Sequence, residues 1–288
     1  MKKLVIFGVG LIGGSVALAL KQAGLNTHIV GVGRSPHSLD EALSLNIIDS
    51  AESDIAIALK DADMVLIAAP VAQTTAILQN IQPHITPQMV ITDAGSTKSD
   101  VLANAQVVLG AQFSQFVGGH PIAGAEKSGA SAAKADLYIQ KNVIITPTAQ
   151  TNAEATLAVQ QLWQSCGAVV SEMSAATHDG IFAAVSHLPH LLAFALVDDL
   201  ASRANAKQLF SFAASGFRDF TRIAGSHPEM WRDISLANRA ALLDEISAFQ
   251  TELSTLKQLL ENADGAGLEA LFERASDARK QWANEKNI

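Results

Sequence analysis

One cysteine, Cys166, stands in 288 residues. No disulfide can therefore form within the chain, and a reducing, cytoplasmic setting is the expectation. Basic residues are also few, with Lys plus Arg at 20 against Asp plus Glu at 28 and a net charge of −8. That balance gives no general attraction to a polyanion, so nucleic acid is not an expected partner, although a local basic pocket is compatible with it. Beyond the N-terminal stretch, the sequence has no unbroken apolar run of the ~18 residues that a bilayer span needs, and no membrane partner is expected. The opening MKKLVIFGVGLIGGSVALAL has the basic start, apolar middle and small residues of a secretory leader. Against a leader stand its glycine spacing and the lack of an A-x-A site before Lys21. Low-complexity linkers and internal repeats are missing too, so two halves sharing an interface are expected rather than freely swinging modules.

What is present is enough apolar sequence, 49% of the chain, for one large domain or two moderate ones. Residues 1–173 alternate short β-branched runs with longer, helix-compatible stretches. The runs are KLVIF, HIVGV, DMVLIAAP, QMVITDAG, QFVGG, NVIITP and GAVVSEM. They are continuously apolar rather than alternating, as strands covered on both faces are, and the helical crossovers between them imply a mostly parallel, doubly wound α/β sheet. From 174 to 288 the strand-like runs stop. HDGIFAAVSHLPHLLAFALVDDLASRA and EMWRDISLANRAALLDEISAFQTELSTLKQLLENA each read as one long helix, the second with an apolar stripe running from Ile234 to Leu260. The predicted domains are thus 1–173 and an all-helical 174–288. Trp231 and Trp282 are expected to pack between helices.

VIFGVGLIGGSVALAL places G-x-G-x-x-G directly after a strand and at the opening of a helix, the context of a Rossmann dinucleotide loop. Gly8 allows the tight turn, Gly10 the approach of a pyrophosphate, and Gly13 close helix–strand packing. The amides of Leu11, Ile12 and Gly13 then face the anion. Pro70, closing DMVLIAAP, joins the expected cofactor-binding set. At the end of the second strand, where an NAD enzyme usually carries Asp or Glu for the ribose hydroxyls, stand Gly33, Arg34 and Ser35. An arginine in place of a carboxylate suits a 2′-phosphate, so NADP is favoured. NAD remains possible if Arg34 only stacks on adenine or faces water.

The remaining motifs are DAGSTK (93–98), GGHPIAGAEKSG (118–129), SHLPH (186–190) and GFRDFTRIAGSHPEMWRDI (216–234). In this order they resemble the prephenate/arogenate dehydrogenase family. The resemblance implies oxidation of a cyclohexadiene acid, a small-molecule substrate, by hydride transfer to NAD(P) with loss of CO2, in tyrosine synthesis. It implies that His120 is the catalytic base, on a rigid loop set by Pro121 and Gly124, and that Ser96 bonds to the base or to the substrate hydroxyl. Ser96 as a plain N-cap of a helix starting near Thr97 is the alternative. Arg222 would bind a substrate carboxylate, with Arg218 either adding charge to the same pocket or forming a surface ion pair. His187 and His190 would line the substrate cleft, with Pro189 distorting their helix. They are three residues apart, but no third ligand has suitable spacing and no metal is expected. Glu126 would border the site, attracting arogenate's ammonium, pairing with a basic residue or facing water. The resemblance also implies a homodimer through the helical domain, with any inhibition by tyrosine acting at the active site. Two other readings stay open on the residues alone. One is a β-hydroxyacid dehydrogenase, which SHLPHLLAFALVDDL lacks a well-placed lysine to support; the other is a non-catalytic NADP-sensing dimer.

Overall fold

The computed structural model describes residues 1–125 and 127–286. Its strands are β1 (Lys3–Phe7), β2 (His28–Val32), β3 (Ser50–Ala51), β4 (Met64–Ile67), β5 (Val90–Asp93), β6 (Phe116–Pro121), β7 (Asn142–Thr146) and β8 (Val169–Glu172). They form one sheet in the order β3-β2-β1-β4-β5-β6-β7-β8. Every pairing is parallel except β6 with β7. The expected α/β sheet is therefore present, with β3 as a two-residue strand too short to leave a pattern in sequence. KLVIF lies between β2 and β4, at the interior of the sheet rather than in a leader.

Helices α1 (Leu11–Gln22), α2 (Pro36–Ser44), α3 (Ile55–Leu59), α4 (Thr74–Ile81), α5 (Ser99–Leu109) and α6 (Ala153–Ser165) connect the strands. Two apolar layers result. Leu4 and Ile6 of β1 join Val16 and Leu20 of α1 and Trp163 of α6 in one, while Val5 and Phe7 join Leu78 of α4 and Val101 of α5 in the other. Alternate residues of one strand thus feed opposite layers, and both faces are covered. Cys166 is buried in the first layer, where burial pushes its thiol up to about 12.

After β8 the chain is helical, as expected: α7 (Ala175–Phe182), α8 (Leu188–Ser202), α9 (Ala206–Ser211), α10 (Ser215–Thr221), α11 (Pro228–Ala237), α12 (Arg239–Glu261) and α13 (Gly265–Lys286). Two details depart from the sequence reading. Between α7 and α8 the helix widens into a π-turn over Ala183–His187, just ahead of Pro189. The run EMWRDISLANRAALL is not one helix but two, since at Asn238, the C-cap of α11, the backbone turns to φ −102° and ψ 29° while the side chain donates to the Asp179 carbonyl. By compactness the chain divides into Met1–Arg239 and a second unit from Ala240 onward. In the second unit α12 and α13 are joined by a turn in which Ala263 takes a positive φ of 49°.

Candidate active site

The carboxyl ends of β1, β2 and β4 open onto a groove of about 620 Å³ lined by Gly8, Gly10, Arg34, Ser35 and Pro70 among others. It lies at the switch point of the sheet, where the strands on either side of β1 wind in opposite directions. Gly8 has φ +95°, and a Cβ on it would lie 2.7 Å from the Ala68 carbonyl oxygen. A Cβ on Gly13 would lie 2.3 Å from the Gly8 oxygen, so helix and strand approach as closely there as the motif requires. A Cβ on Gly10 would meet nothing within 4 Å and would project into open space. No side chain caps α1, and no acid sits in its first turn. The amides of Leu11, Ile12 and Gly13 thus keep an anion-binding character that suits a pyrophosphate. The Ser35 hydroxyl accepts from Ser38 N at 3.3 Å as the cap of α2. Among the described residues lining the groove none is acidic.

His120 lies at the carboxyl end of β6, on the same sheet. The sequence suggested a loop, but the residue sits inside the strand, paired with Ile144 of β7. Gly118 and Gly119 explain why the strand looked like a loop: Cβ atoms there would lie 2.5 Å from Thr146 Oγ1 and 2.7 Å from the Asp93 carbonyl oxygen. Asp93, wholly buried, accepts from Gly119 N at 3.0 Å and from Gly95 N at 2.8 Å, and it pairs with the equally buried Lys98 ammonium. The buried ion pair ties the end of β5 to the backbone beneath His120. DAGSTK therefore has a structural part beyond its serine. Ser96, partly exposed, does not cap the following helix, which starts at Ser99.

That helix is capped by Asp179, from α7. Its Oδ1 accepts from Lys98 N at 2.9 Å and its Oδ2 from Ser99 N at 2.8 Å. Oδ1 also meets Nδ1 of the neighbouring His178 at 2.8 Å. His178 Nε2 then lies 2.8 Å from His120 Nδ1. An Asp179–His178–His120 chain thus ends on the expected base. Burial opposes the charge on Asp179, but hydrogen bonds from His178, Ser99 and Lys98 outweigh it and hold its carboxyl at about 2. Burial, with further contributions from His178, Lys98 and His187, keeps the proton affinity of His120 well below that of an ordinary imidazole, and Asp179 pulls the other way. Phe182 packs edge-on to His120, with ring centroids 4.9 Å apart.

The π-turn and α8 place the other two histidines. His187 is buried, and its Nδ1 receives a hydrogen bond from Asn238 Nδ2 at 3.1 Å, while the same amide donates to the Asp179 carbonyl at 2.8 Å. His187 Nδ1 is thereby the acceptor and Nε2 carries the ring proton. Burial holds His187 down at about 4, so it is a neutral donor at physiological pH. His190 donates from Nδ1 to the Ser186 carbonyl at 2.8 Å and stacks on Trp231, with centroids 3.7 Å apart. Burial lowers its proton affinity, the Ser186 carbonyl raises it, and the charge of Arg222 nearby lowers it again. Arg222 thus sits close to this histidine pair, at the start of a 3-10 turn over Arg222–Gly225. Arg218 is exposed and paired with the adjacent Asp219 at 3.3 Å. Glu126 lies outside the described residues. No cluster of three or more metal-ligating side chains occurs among the described residues.

His178, Asp179, Asn238 and Lys98 were not singled out by sequence. The sequence signals for them are an adjacent His-Asp pair early in a helix and, for Lys98, its place at the end of DAGSTK.

The prephenate dehydrogenase nucleotide-binding domain matches residues 16–172, and the prephenate dehydrogenase dimerization domain matches 174–274. The chain is 39% identical to a Bacillus subtilis prephenate dehydrogenase over 96% of its own length and 75% of that protein. It is 34% identical to a Zymomonas mobilis cyclohexadienyl dehydrogenase, across 100% and 98% of the two chains. The crystal structure of an Aquifex aeolicus prephenate dehydrogenase in complex with hydroxyphenyl propionate and NAD+ superposes with a TM-score of 0.91 at 38% identity, covering 97% of this chain and 98% of that one. A chain with this cofactor groove, this histidine-bearing strand and full-length likeness of this order belongs to the prephenate dehydrogenase family.

Proposed function

We propose that the protein oxidises prephenate, arogenate or both, using NAD(P), and releases CO2 as the ring becomes aromatic. The observation that carries this reading is His120 at the carboxyl edge of the sheet that also bears the dinucleotide turn, with its Nδ1 engaged by His178 and its Nε2 outside that network. A nicotinamide held in the groove would supply the acceptor for the hydride of the ring carbon bearing the 4-hydroxyl. His120 Nε2 takes the hydroxyl proton, so a C=O forms at that carbon. The bond from the ring to its carboxylate then breaks and CO2 leaves; its electron pair enters the ring and shifts the C=O pair onto oxygen, which takes the proton back from His120. An imidazole of lowered proton affinity serves this step because it is unprotonated and free to accept at neutral pH. Ser96 is assigned to the base or the substrate hydroxyl. Arg222 is assigned to a substrate carboxylate, which its planar fork of donors fits; His187, as a neutral Nε2–H donor, and His190 complete the wall. Arg218 is assigned to the rim, and Glu126 to the substrate-binding set, where an acid would attract the ammonium of arogenate.

Gly8, Gly10, Leu11, Ile12, Gly13, Arg34, Ser35 and Pro70 are assigned to the dinucleotide, with NADP preferred. Support for the preference comes from Arg34 and the lack of an acid among the described lining residues. Domain limits of 1–173 and 174–288, a homodimer through the second, and a cytoplasmic setting belong to the same reading.

An assay offering prephenate and arogenate with NADP and NAD tests it. Reduced nicotinamide should form with at least one acid, and His120→Asn should abolish turnover while leaving dinucleotide binding within about twofold. Absence of turnover with either acid, or an active His120→Asn, would overturn the reading. Arg34→Ala should weaken NADP by about tenfold or more and NAD little, as expected for loss of a hydrogen bond to a charged group.

A further inference from the structure

We propose that His178, backed by Asp179, is the positioning residue that fixes the tautomer of His120, keeping the proton on Nδ1 and the lone pair on Nε2. The inference rests on His120 being the base. It starts at Asp179, whose carboxylate already accepts two backbone N–H groups from the first turn of α5. An ionised carboxylate accepts only, so His178 Nδ1, 2.8 Å from Oδ1, must donate. With Nδ1–H committed to Asp179, a neutral His178 presents a lone pair at Nε2. Across the 2.8 Å to His120 Nδ1, one nitrogen must donate and the other accept. His120 Nδ1 is therefore the donor, and Nε2 of His120 is left bare.

The other tautomer of His120 would set two lone pairs against each other in a buried setting walled by Phe182, whose ring centroid is 4.5 Å from that of His178. Buried acceptors left without a donor are strongly disfavoured. The groups facing His120 besides His178 are Lys98, His187 and Asp179. Lys98 opposes a positive charge on the ring, Asp179 favours one, and His187 is neutral at physiological pH. When His120 takes a proton at Nε2, its Nδ1–H already points along the chain toward the buried carboxylate, so the new charge is met by an existing dipole path rather than by reorganisation. Asp179 serves a second purpose as the cap of α5, which makes the position of the relay depend on the helix that follows DAGSTK.

The experiment is nitrogen NMR of the full-length protein with 15N-labelled histidine, assigned by difference from His120→Asn, together with steady-state kinetics of His178→Gln and His178→Leu. In the wild type at neutral pH, His120 should show a protonated Nδ1 and an unprotonated Nε2; the reverse overturns the proposal without any variant. His178→Gln keeps a carbonyl oxygen in reach of His120 Nδ1–H and should retain kcat within about tenfold, whereas His178→Leu should lose about 100-fold or more, the usual scale of a displaced acid–base group. KM and dinucleotide affinity should stay within about threefold in both. A leucine variant with wild-type kcat, or a glutamine variant as impaired as the leucine one, overturns the role of His178. His120→Asn retaining turnover would instead remove the base itself, so the two failures are distinguishable.

Discussion

At the scale of single residues, the site is organised by buried groups whose partners are fully specified. Asn238 is the clearest case. One amide donates to both the Asp179 carbonyl and His187 Nδ1, joining the end of α11 to the relay and to the cleft wall at once. Asn238→Leu leaves His187 Nδ1 without a donor, while the Asp179 carbonyl keeps the Ala183 N–H, and a destabilisation of about 1–3 kcal/mol is expected. Urea midpoints measure it, and a variant as stable as the wild type would show that the two bonds carry no net weight. The same network sets the pH response. His187 falls from an ordinary 6.5 to about 4 on folding, so the unfolded chain binds its proton first as pH drops. The contribution is therefore complete above about pH 6.5 and is lost as pH falls toward about 4, amounting to about 3 kcal/mol at the acid end. His120 moves in the same direction and adds to the loss. Asp179, held at about 2, acts in a lower window, contributing above about 3.8 and giving way below it. Stability should fall in two stages, the first reduced in His187→Gln. A flat profile between about pH 6.5 and 4 would contradict the buried neutral state of His187.

At the scale of elements, the turn from β1 into α1 separates two uses of glycine that the sequence motif cannot distinguish. Gly13→Ala would force a methyl to within 2.3 Å of the Gly8 oxygen, a backbone contact that cannot yield cheaply. Destabilisation of the unliganded protein by about 1–3 kcal/mol is expected. Gly10→Ala meets nothing within 4 Å, so the unliganded protein should melt within a degree or two of the wild type, while NAD(P) binding, which needs that open space, should fall by about tenfold or more. Equal losses of stability in the two variants would contradict the assignment. This turn was legible in sequence because its constraints are local. So were the doubly covered strands, whose continuous apolar runs record two neighbouring layers. His120 was legible as a residue but not as part of a strand, since Gly118 and Gly119 are there for lack of space against Thr146 and Asp93, not for turning. His178 and Asp179 were not legible at all. Their partners lie 58 and 80 residues away, in β6 and α5, and nothing in a local pattern records a contact of that separation. The break at Asn238 was hidden for the same reason: helix propensity and the apolar stripe run straight through it, and tertiary hydrogen bonds override them.

At the scale of the whole molecule, the two units differ in how much apolar surface they resolve by themselves. In Met1–Arg239 the sheet layers are closed, with Leu4, Val5, Ile6, Val16 and Trp163 at 0% exposure. From Ala240 onward the chain leaves Leu243, Leu253, Leu260, Phe272 and Trp282 exposed by 47–66%. Runs of large apolar side chains left open on helices are the usual mark of a surface that another chain covers, and the matching family domain carries dimerization in its name. For a chain of 30.3 kDa, light scattering should give about twice that mass, and the unfolding midpoint should rise with protein concentration because association is linked to folding. Leu260→Glu combined with Phe272→Glu places two charges where desolvation would be required, and charge buried without a partner opposes association strongly. The double variant should shift the mass toward the single chain and remove the concentration dependence. Both substitutions fall outside Met1–Arg239, so the dinucleotide groove remains intact in sequence, and NADP affinity should stay within about twofold even as the assembly dissociates. A wild-type protein that scatters as a single chain would contradict the homodimer. A double variant that stays dimeric would move the interface off these side chains and onto the apolar residues earlier in the helical region.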